Sequence, residues 1–184
     1  MISVAQLDRI VVVGTTGSGK STLARDLALL TGAVHVELDA LYHQPDWQVT
    51  PEAEFMARLG AVAGRPRWIA DGNYTTRASK VLWPRAQLIV WLDLPLTTVI
   101  PRLARRSVRR VREQTELWHG NRETWSSLLG RESILLWAVR THPRHRRDLP
   151  AIFLRSELAS TAVVRLTSRV HVARWLEVAR ADAA

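Results

Sequence analysis

Hydrophobic and polar residues alternate with several different periods along this chain, and each change of period marks an element. Ile10-Val-Val-Val13 is an uninterrupted apolar run, the pattern of a strand buried on both faces, so a first strand is read from Arg9 to Val13. Between Lys20 and Leu30 the period turns helical, with Leu23, Leu27 and Leu30 on one face and Gly32 as the stop. Ala33 to Leu38 alternates and is valine-rich, a second strand ending at Asp39, and Ala40 to Val49 reads as an aromatic and polar loop. Thr50-Pro51 signals a helix start, with threonine as cap and proline in the first turn, and Gly64-Arg-Pro66 ends that helix.

Trp68-Ile-Ala70 is a short third strand, and Gln87 to Leu92 a fourth. A basic helix is expected from Thr98 to Arg112, with Pro101 tolerable only in or near its first turn. The polar stretch from Glu113 to Glu123, with Gly120-Asn121, reads as a loop. Thr124 to Thr141 regains helical spacing through Leu128, Leu129, Leu135, Leu136 and Val139 until His142-Pro143 breaks it, and a second basic helical stretch runs towards Glu157. Thr161 to Leu166 is a fifth strand, and Ser168 caps a last helix with the stripe Val172, Trp175, Leu176 and Ala179. Trp125, Trp137 and Trp175 fall on apolar helical faces and are expected in the core. Strands separated by helices predict a parallel, doubly wound α/β sheet within one domain, residues 1–184, whose ligands gather at the carboxyl ends of the strands.

Between the first strand and the first helix stands Gly14-Thr15-Thr16-Gly17-Ser18-Gly19-Lys20-Ser21-Thr22, which satisfies G-x-x-x-x-G-K-[ST] without a mismatch. Its backbone N–H groups would form a nest for phosphate oxygens, Lys20 would reach the terminal phosphates, and the Ser21 hydroxyl would ligate Mg²⁺. ATP with Mg²⁺ is therefore the expected ligand.

Composition adds a location for charge. Of a net charge of +9, the segment from Arg102 to Arg147 carries +8, from twelve arginines against four glutamates, and Lys20 and Lys80 are the only lysines in the chain. Arginine's planar fork suits phosphate, so this segment is expected to meet an anion. The chain has no cysteine, which fits a reducing compartment. No apolar run approaches membrane-spanning length and Met1 to Arg9 lacks a secretory pattern, so a cytoplasmic protein without membrane contact is expected.

Asp39, Asp71 and Asp93 each follow a predicted strand and so share the edge of the phosphate loop. Near Mg²⁺ such a carboxylate holds the ion's waters; near an acceptor hydroxyl it accepts the proton. Asp93 leads straight into Leu94-Pro95 and reads more simply as a turn residue.

These features together resemble the adenylate kinase group of small-molecule kinases: the strand–loop–helix start, Asp71-Gly72, and Trp91-Leu-Asp-Leu-Pro95 followed by Arg102 and Arg106. More closely, Leu38-Asp-Ala-Leu-Tyr-His43 with Trp47, Asp71-Gly-Asn-Tyr74 and Glu116-Leu-Trp-His-Gly-Asn-Arg-Glu123 resemble the topology modulation protein (FlaR-related) family. The resemblance implies a P-loop fold with a five-stranded parallel sheet of order 2-3-1-4-5 and an arginine-rich helical lid after strand four, here about residues 105–145. It also implies that Arg102 and Arg106 neutralise the transferring phosphoryl group and that Asp71 serves in the outer shell of Mg²⁺. Arg102 and Arg106 share a helix face at i and i+4; Arg105 and Arg109 lie beside them, and Arg122 is a further lid candidate. The chain departs from adenylate kinases where Asn73-Tyr74 follows Gly72 and Arg77 comes five residues after that glycine, so no AMP site is carried over. Asp39 is instead similar to the position where shikimate- and gluconate-type kinases hold an acceptor hydroxyl. Asp39, His43, Trp47, Asn73, Tyr74 and Arg77, with Arg109 and Arg122 from the lid, make up the expected acceptor pocket; His43 equally fits a surface or capping role.

Three functions fit these residues. The first is a phosphotransferase using Lys20, Asp39, Asp71, Arg102 and Arg106 to pass the γ-phosphoryl group of Mg·ATP to a small acceptor, as a monomer or homodimer. The second, suggested by the basic segment, is a nucleic-acid-associated ATP-binding regulator or polynucleotide kinase; it is disfavoured because no helix-turn-helix pattern is present and arginines closing on a nucleotide explain the same charge. The third, a bare NTPase switch, would hydrolyse ATP without any acceptor.

Overall fold

The β-branched run at the start of the chain does form the centre of a sheet. The structure, a computed structural model, describes residues 4–130 and 133–182; residues 1–3, 131–132, 183 and 184 of the expected domain, including two positions of the 105–145 segment, lie outside the described residues. Five parallel strands, β1 (Arg9–Gly14), β2 (Val34–Glu37), β3 (Trp68–Asp71), β4 (Leu88–Leu92) and β5 (Ala162–Leu166), pair in the order β2-β3-β1-β4-β5. β1 is central, with Val12 beside Asp71 of β3 and Val90 of β4, and Gly14 beside Leu92.

Strand alternation sorts the core into two layers. Ile10, Val12, Ile69 and Val90 face α1 (Lys20–Thr31) and α8 (Arg169–Ala181) through Leu23, Leu27 and Leu176. Val11, Val13, Ala70, Ile89 and Trp91 face the other way, onto Phe55, Leu59 and Val62 of α3 (Glu52–Ala63), the short α4 (Ala78–Val81) with Leu82 and Trp83, and Leu149 and Ile152 of α7 (Ile134–Phe153). Trp68, Trp83 and Phe55 are fully buried, each contributing about 2–3 kcal/mol of burial free energy. α2 (Leu38–Tyr42) follows β2, α5 (Leu96–Arg112) follows β4, and α6 (Trp125–Leu129) precedes α7. No helix among the described residues is long and apolar enough to cross a membrane.

Four expectations change. Strand two stops at Glu37, and Leu38 begins α2, so Asp39 sits in the first turn of a helix instead of at the end of the strand. α3 takes Pro51 as its cap; the Thr50 hydroxyl donates to the Leu41 carbonyl, 2.9 Å, tying the helix start to α2. The helix expected to break at His142-Pro143 continues to Phe153, and Pro101 stands in the second turn of α5. Pro101, Pro143 and Pro150 are all exposed, so the carbonyl each leaves without a helical partner lies on the water side while the opposite face stays packed. Lastly, Trp125 and Trp137 are 50 % and 61 % exposed, because Leu128 is the buried residue of α6 and Ala138, Thr141 and His142 form the buried stripe of α7 there. Trp175 is partly buried against the layer of Ile10, Val12 and α1.

α3 offers a control on backbone entropy. An added methyl at Gly60 meets nothing within 4 Å, so Gly60→Ala is expected to stabilise the fold by about 0.5–1 kcal/mol, measured as a higher urea midpoint at unchanged slope.

Candidate active site

The loop from Thr15 to Gly19 joins the carboxyl end of β1 to the first turn of α1, and its backbone is pinned at both ends. The Gly14 N–H donates to Asn73 Oδ1 at 2.9 Å, and Ser18 N–H to the Thr15 carbonyl at 3.0 Å. The Ser18 hydroxyl is buried without a partner, Thr16 is half-buried, and Thr22 is exposed. Ser21 donates to Asp71 Oδ1 at 3.1 Å, and His35 Nε2 bonds Asp71 Oδ2 at 2.8 Å. Asp71 is the buried last residue of β3, two strands of parallel register holding it beside Val12 and Glu37. His35, two positions before Glu37, had no signature in the sequence.

Lys20 is half-buried. Its ammonium turns back towards the Thr15 carbonyl, 3.4 Å away, and burial pushes its pKa down. The charges of Asp71 and Asp39 oppose that shift, whereas Arg106 adds to it. Charges from β3, α2 and α5 therefore act on the one ammonium of α1. Arg106 is itself held below the ordinary guanidinium range, by burial first and by Arg110 next, and its Nε–H is buried with no partner. Arg102, one turn earlier, lies over Gly19.

On the other side of Lys20, the Tyr74 hydroxyl donates to Asp39 Oδ1 at 2.7 Å, and burial beside that carboxylate raises the phenol's pKa. Tyr74 packs with Tyr42 and Phe55 at ring distances of 4.9 and 5.1 Å. Arg77 is ion-paired with Glu52 and lies over the Tyr42 ring, so its charge is already answered. Asn73 spends its amide on Gly14 and, through Nδ2, on His145 Nε2 at 3.3 Å.

The loop after α5 is docked on the segment after α2. Trp118 Nε1 donates to Glu37 at 2.9 Å, and His119 Nε2 to the Ala40 carbonyl at 3.0 Å. Asn121 accepts from the Trp47 N–H at 2.9 Å and donates to the Gln44 and Trp118 carbonyls. His43 stacks on Trp118, with centroids 6.0 Å apart and planes at 14°, and burial lowers its pKa. Trp47 meets His43 edge-on and donates from Nε1 to the Arg122 carbonyl. His43 and Trp47 thus fasten the loop around Trp118 and Asn121 instead of offering a free ring face to an acceptor. Asn121→Ala orphans the Trp47 N–H and the Gln44 carbonyl together; the expected cost is about 2 kcal/mol, with faster hydrogen exchange at the Trp47 amide while β1 amides keep their protection.

Arg109 and Arg122 are not brought to the pocket. Each is exposed and turned to a glutamate, Arg109 to Glu113 at 3.9 Å and Arg122 to Glu116 at 3.8 Å. Asp93 is no turn residue: it is buried between Arg146 of α7 and Arg165 of β5, at 3.0 and 2.9 Å, and so anchors α7 to the sheet. That anchor explains two residues the sequence did not suggest. His142 Nδ1 bonds the buried Thr15 hydroxyl at 3.0 Å, and His145 sits close enough to Lys20 for its charge to act on the ring. Burial, then Lys20 and His142, push His145 down to about 4. The His-Pro-x-His spacing would have suggested both, had Pro143 not been taken as a helix end.

A groove of about 190 Å³ opens beside the loop, walled by Ser18, Gly19, Thr22, Arg102, Arg169 and Val172. A wider hollow, about 640 Å³, lies at the opposite edge of the sheet near Arg9, Arg85 and Gln87, away from this chemistry. Among the described residues no group of three or more histidines and acids is placed to hold a metal by itself. Ser21 and Asp71 fit a cation that takes most of its ligands from phosphate and water, as Mg²⁺ does.

No protein-family model and no curated protein matches the sequence. Solved structures do match in fold. A gluconokinase from Sinorhizobium meliloti 1021 is similar at 18 % identity and a TM-score of 0.52, over 96 % of this chain and 91 % of that one. A shikimate kinase from Acinetobacter baumannii in complex with shikimate gives 18 % and 0.55, over 97 % and 90 %. One from Bacteroides thetaiotaomicron gives 16 % and 0.52, over 93 % and 95 %. The chain shares the fold of these P-loop small-molecule kinases.

Proposed function

We propose that this chain is an ATP-dependent small-molecule kinase that transfers the γ-phosphoryl group of Mg·ATP to the hydroxyl of a small acceptor. The observation that carries this is that the charges of Asp71, Asp39 and Arg106 all act on Lys20 while Ser21, beside it in the loop, bonds Asp71. The loop amides and Lys20 would hold the phosphates, and the base would lie in the groove between Arg102 and Arg169. Ser21 and Asp71 would hold Mg²⁺, which supplies charge neutralisation across the β- and γ-phosphates. Arg106, with an unused buried N–H, would meet the charge of the moving phosphoryl group, and Asp39 would bind the acceptor hydroxyl and accept its proton as Tyr74 keeps the carboxylate oriented. Positioning and charge supply most of the rate, as phosphoryl transfer requires.

The closer resemblance, to the topology modulation protein family, belongs to the same proposal. Two of its three segments, Leu38–His43 with Trp47 and Glu116–Glu123, are those docked on each other through Trp118, Asn121 and Trp47. We take residues 1–184 as one domain with a lid over about 105–145, acting in the cytoplasm as a monomer or homodimer. The acceptor is tested with γ-labelled ATP against nucleotides, nucleosides, sugars and hydroxy acids. Label transfer to one class is expected; ATP binding with no transfer to any of them would sink the kinase reading and leave the bare NTPase.

The exposure of Arg105, Arg112, Arg140 and Arg144 on α5 and α7 keeps nucleic acid as a second reading. Binding to single- and double-stranded DNA and RNA across a salt series separates the two: affinity erased by physiological salt is nonspecific attraction.

A further inference from the structure

We propose that His145 is a substrate-contacting residue of this site, an uncharged hydrogen-bond donor to the terminal phosphoryl group of the bound nucleotide. The proposal rests on the reading of the site as a nucleotide site and adds a residue to it from α7. Its argument is a chain of hydrogen bonds in which each member fixes the next. A backbone N–H can only donate, so the Gly14 amide at 2.9 Å makes the Asn73 oxygen an acceptor and settles which way the side-chain amide points. The other end, Nδ2, can only donate, and it lies 3.3 Å from His145 Nε2. Nε2 must then present its lone pair, and a neutral imidazole carries its proton on Nδ1.

That Nδ1–H is buried and has no partner. A shielded donor left unsatisfied is costly, and the neighbours show what it waits for. Lys20, the phosphate-loop lysine, is close enough to act on the ring, and His142, one turn earlier on α7, grips the Thr15 hydroxyl within the same loop. Lys20 and His142 both disfavour a proton on the ring, Asp148 favours one, and burial keeps the imidazole neutral. The helix is held in place by Arg146 on the buried Asp93. The ring is thus an oriented donor, without charge, near Lys20 and the loop that His142 grips. An anionic oxygen from the nucleotide's last phosphate would satisfy it, and a diphosphate would leave it empty.

The test compares Mg·AMP-PNP with Mg·ADP by calorimetry on the full chain. His145→Ala is expected to weaken AMP-PNP by about tenfold and ADP by less than twofold, and His145→Gln, which keeps an N–H donor, to restore most of the loss. Equal losses for both nucleotides, or none for either, overturn the proposal. The Gln variant and a thermal melt guard against a folding defect. Nitrogen NMR of the wild-type ring should report protonated Nδ1 and bare Nε2; the opposite tautomer overturns the proposal as well. If the wild type binds neither nucleotide, the reading of the site falls with it. If Lys20→Ala loses AMP-PNP but His145→Ala does not, the site stands and His145 has no part in it.

Discussion

Lys20→Met is expected to lower ATP-dependent turnover by about 10²–10³-fold or more and, in the same protein, to raise the melting temperature. Both follow from where the ammonium sits. Folding takes part of the water from Lys20 before any phosphate arrives, and the Thr15 carbonyl at 3.4 Å is poor compensation. A lysine whose folded pKa lies below its unfolded value of about 10.4 disfavours folding wherever the unfolded chain is charged. The penalty is complete below the lowered folded-state pKa and fades as pH rises from there to the unfolded value. Methionine keeps the stem and removes the charge, so the unliganded variant should melt higher than wild type at pH 7, with the gap closing in alkali. In the proposed site, bound ATP would reverse the balance, because the charge that was costly would then face the β- and γ-phosphates. A variant that turns over at the wild-type rate contradicts the role given to Lys20; one that is inactive but melts lower contradicts the account of its burial.

This stability cost belongs to a site that was half legible in the sequence. The strand–loop–helix joint at Gly14–Lys20 could be read because its residues are adjacent in the chain and its strand and helix have strong, opposite periodicities. Asp71 could be read because a short apolar strand delivers it to a known edge. The other half depends on pairs far apart in sequence: Asn121 meets Trp47 across 74 positions and His145 meets Asn73 across 72, and no local pattern encodes such distances. Arg109 and Arg122 are expected in the acceptor pocket on charge and nearness in the chain, which do not distinguish an arginine facing a site from one facing a glutamate in water. α7 was cut short because proline removes one hydrogen bond, a loss that matters little when the freed carbonyl faces solvent. Trp125 and Trp137 were assigned to the core by a period correct for a helix but blind to which face the sheet covers.

Gly14→Ala is the substitution expected to damage the fold most. Gly14 closes β1 at φ 148°, outside the range of ordinary side chains, and an added methyl would stand 2.6 Å from the Leu92 carbonyl oxygen. That oxygen belongs to β4, paired to β1 on one side and to β5 on the other, so it cannot retreat without breaking the ladder. Strain and overlap together should cost about 3 kcal/mol or more, a melting temperature lower by about 10 °C in a chain of this size. Gly17→Ala makes a useful contrast. Its φ of 84° is also strained, but the methyl would press on Leu103 Cβ at 2.9 Å and the Val99 carbonyl at 3.2 Å, both on α5, a helix that can shift as a body. Gly17→Ala should therefore lose less stability than Gly14→Ala while moving the helix that carries Arg102 and Arg106. The pair is read by denaturant melts against ATP-analogue affinity: Gly14→Ala falls mainly in the first, Gly17→Ala mainly in the second. Equal melts for the two would mean that β4 yields as easily as α5, and that the loop is not set by the central strands.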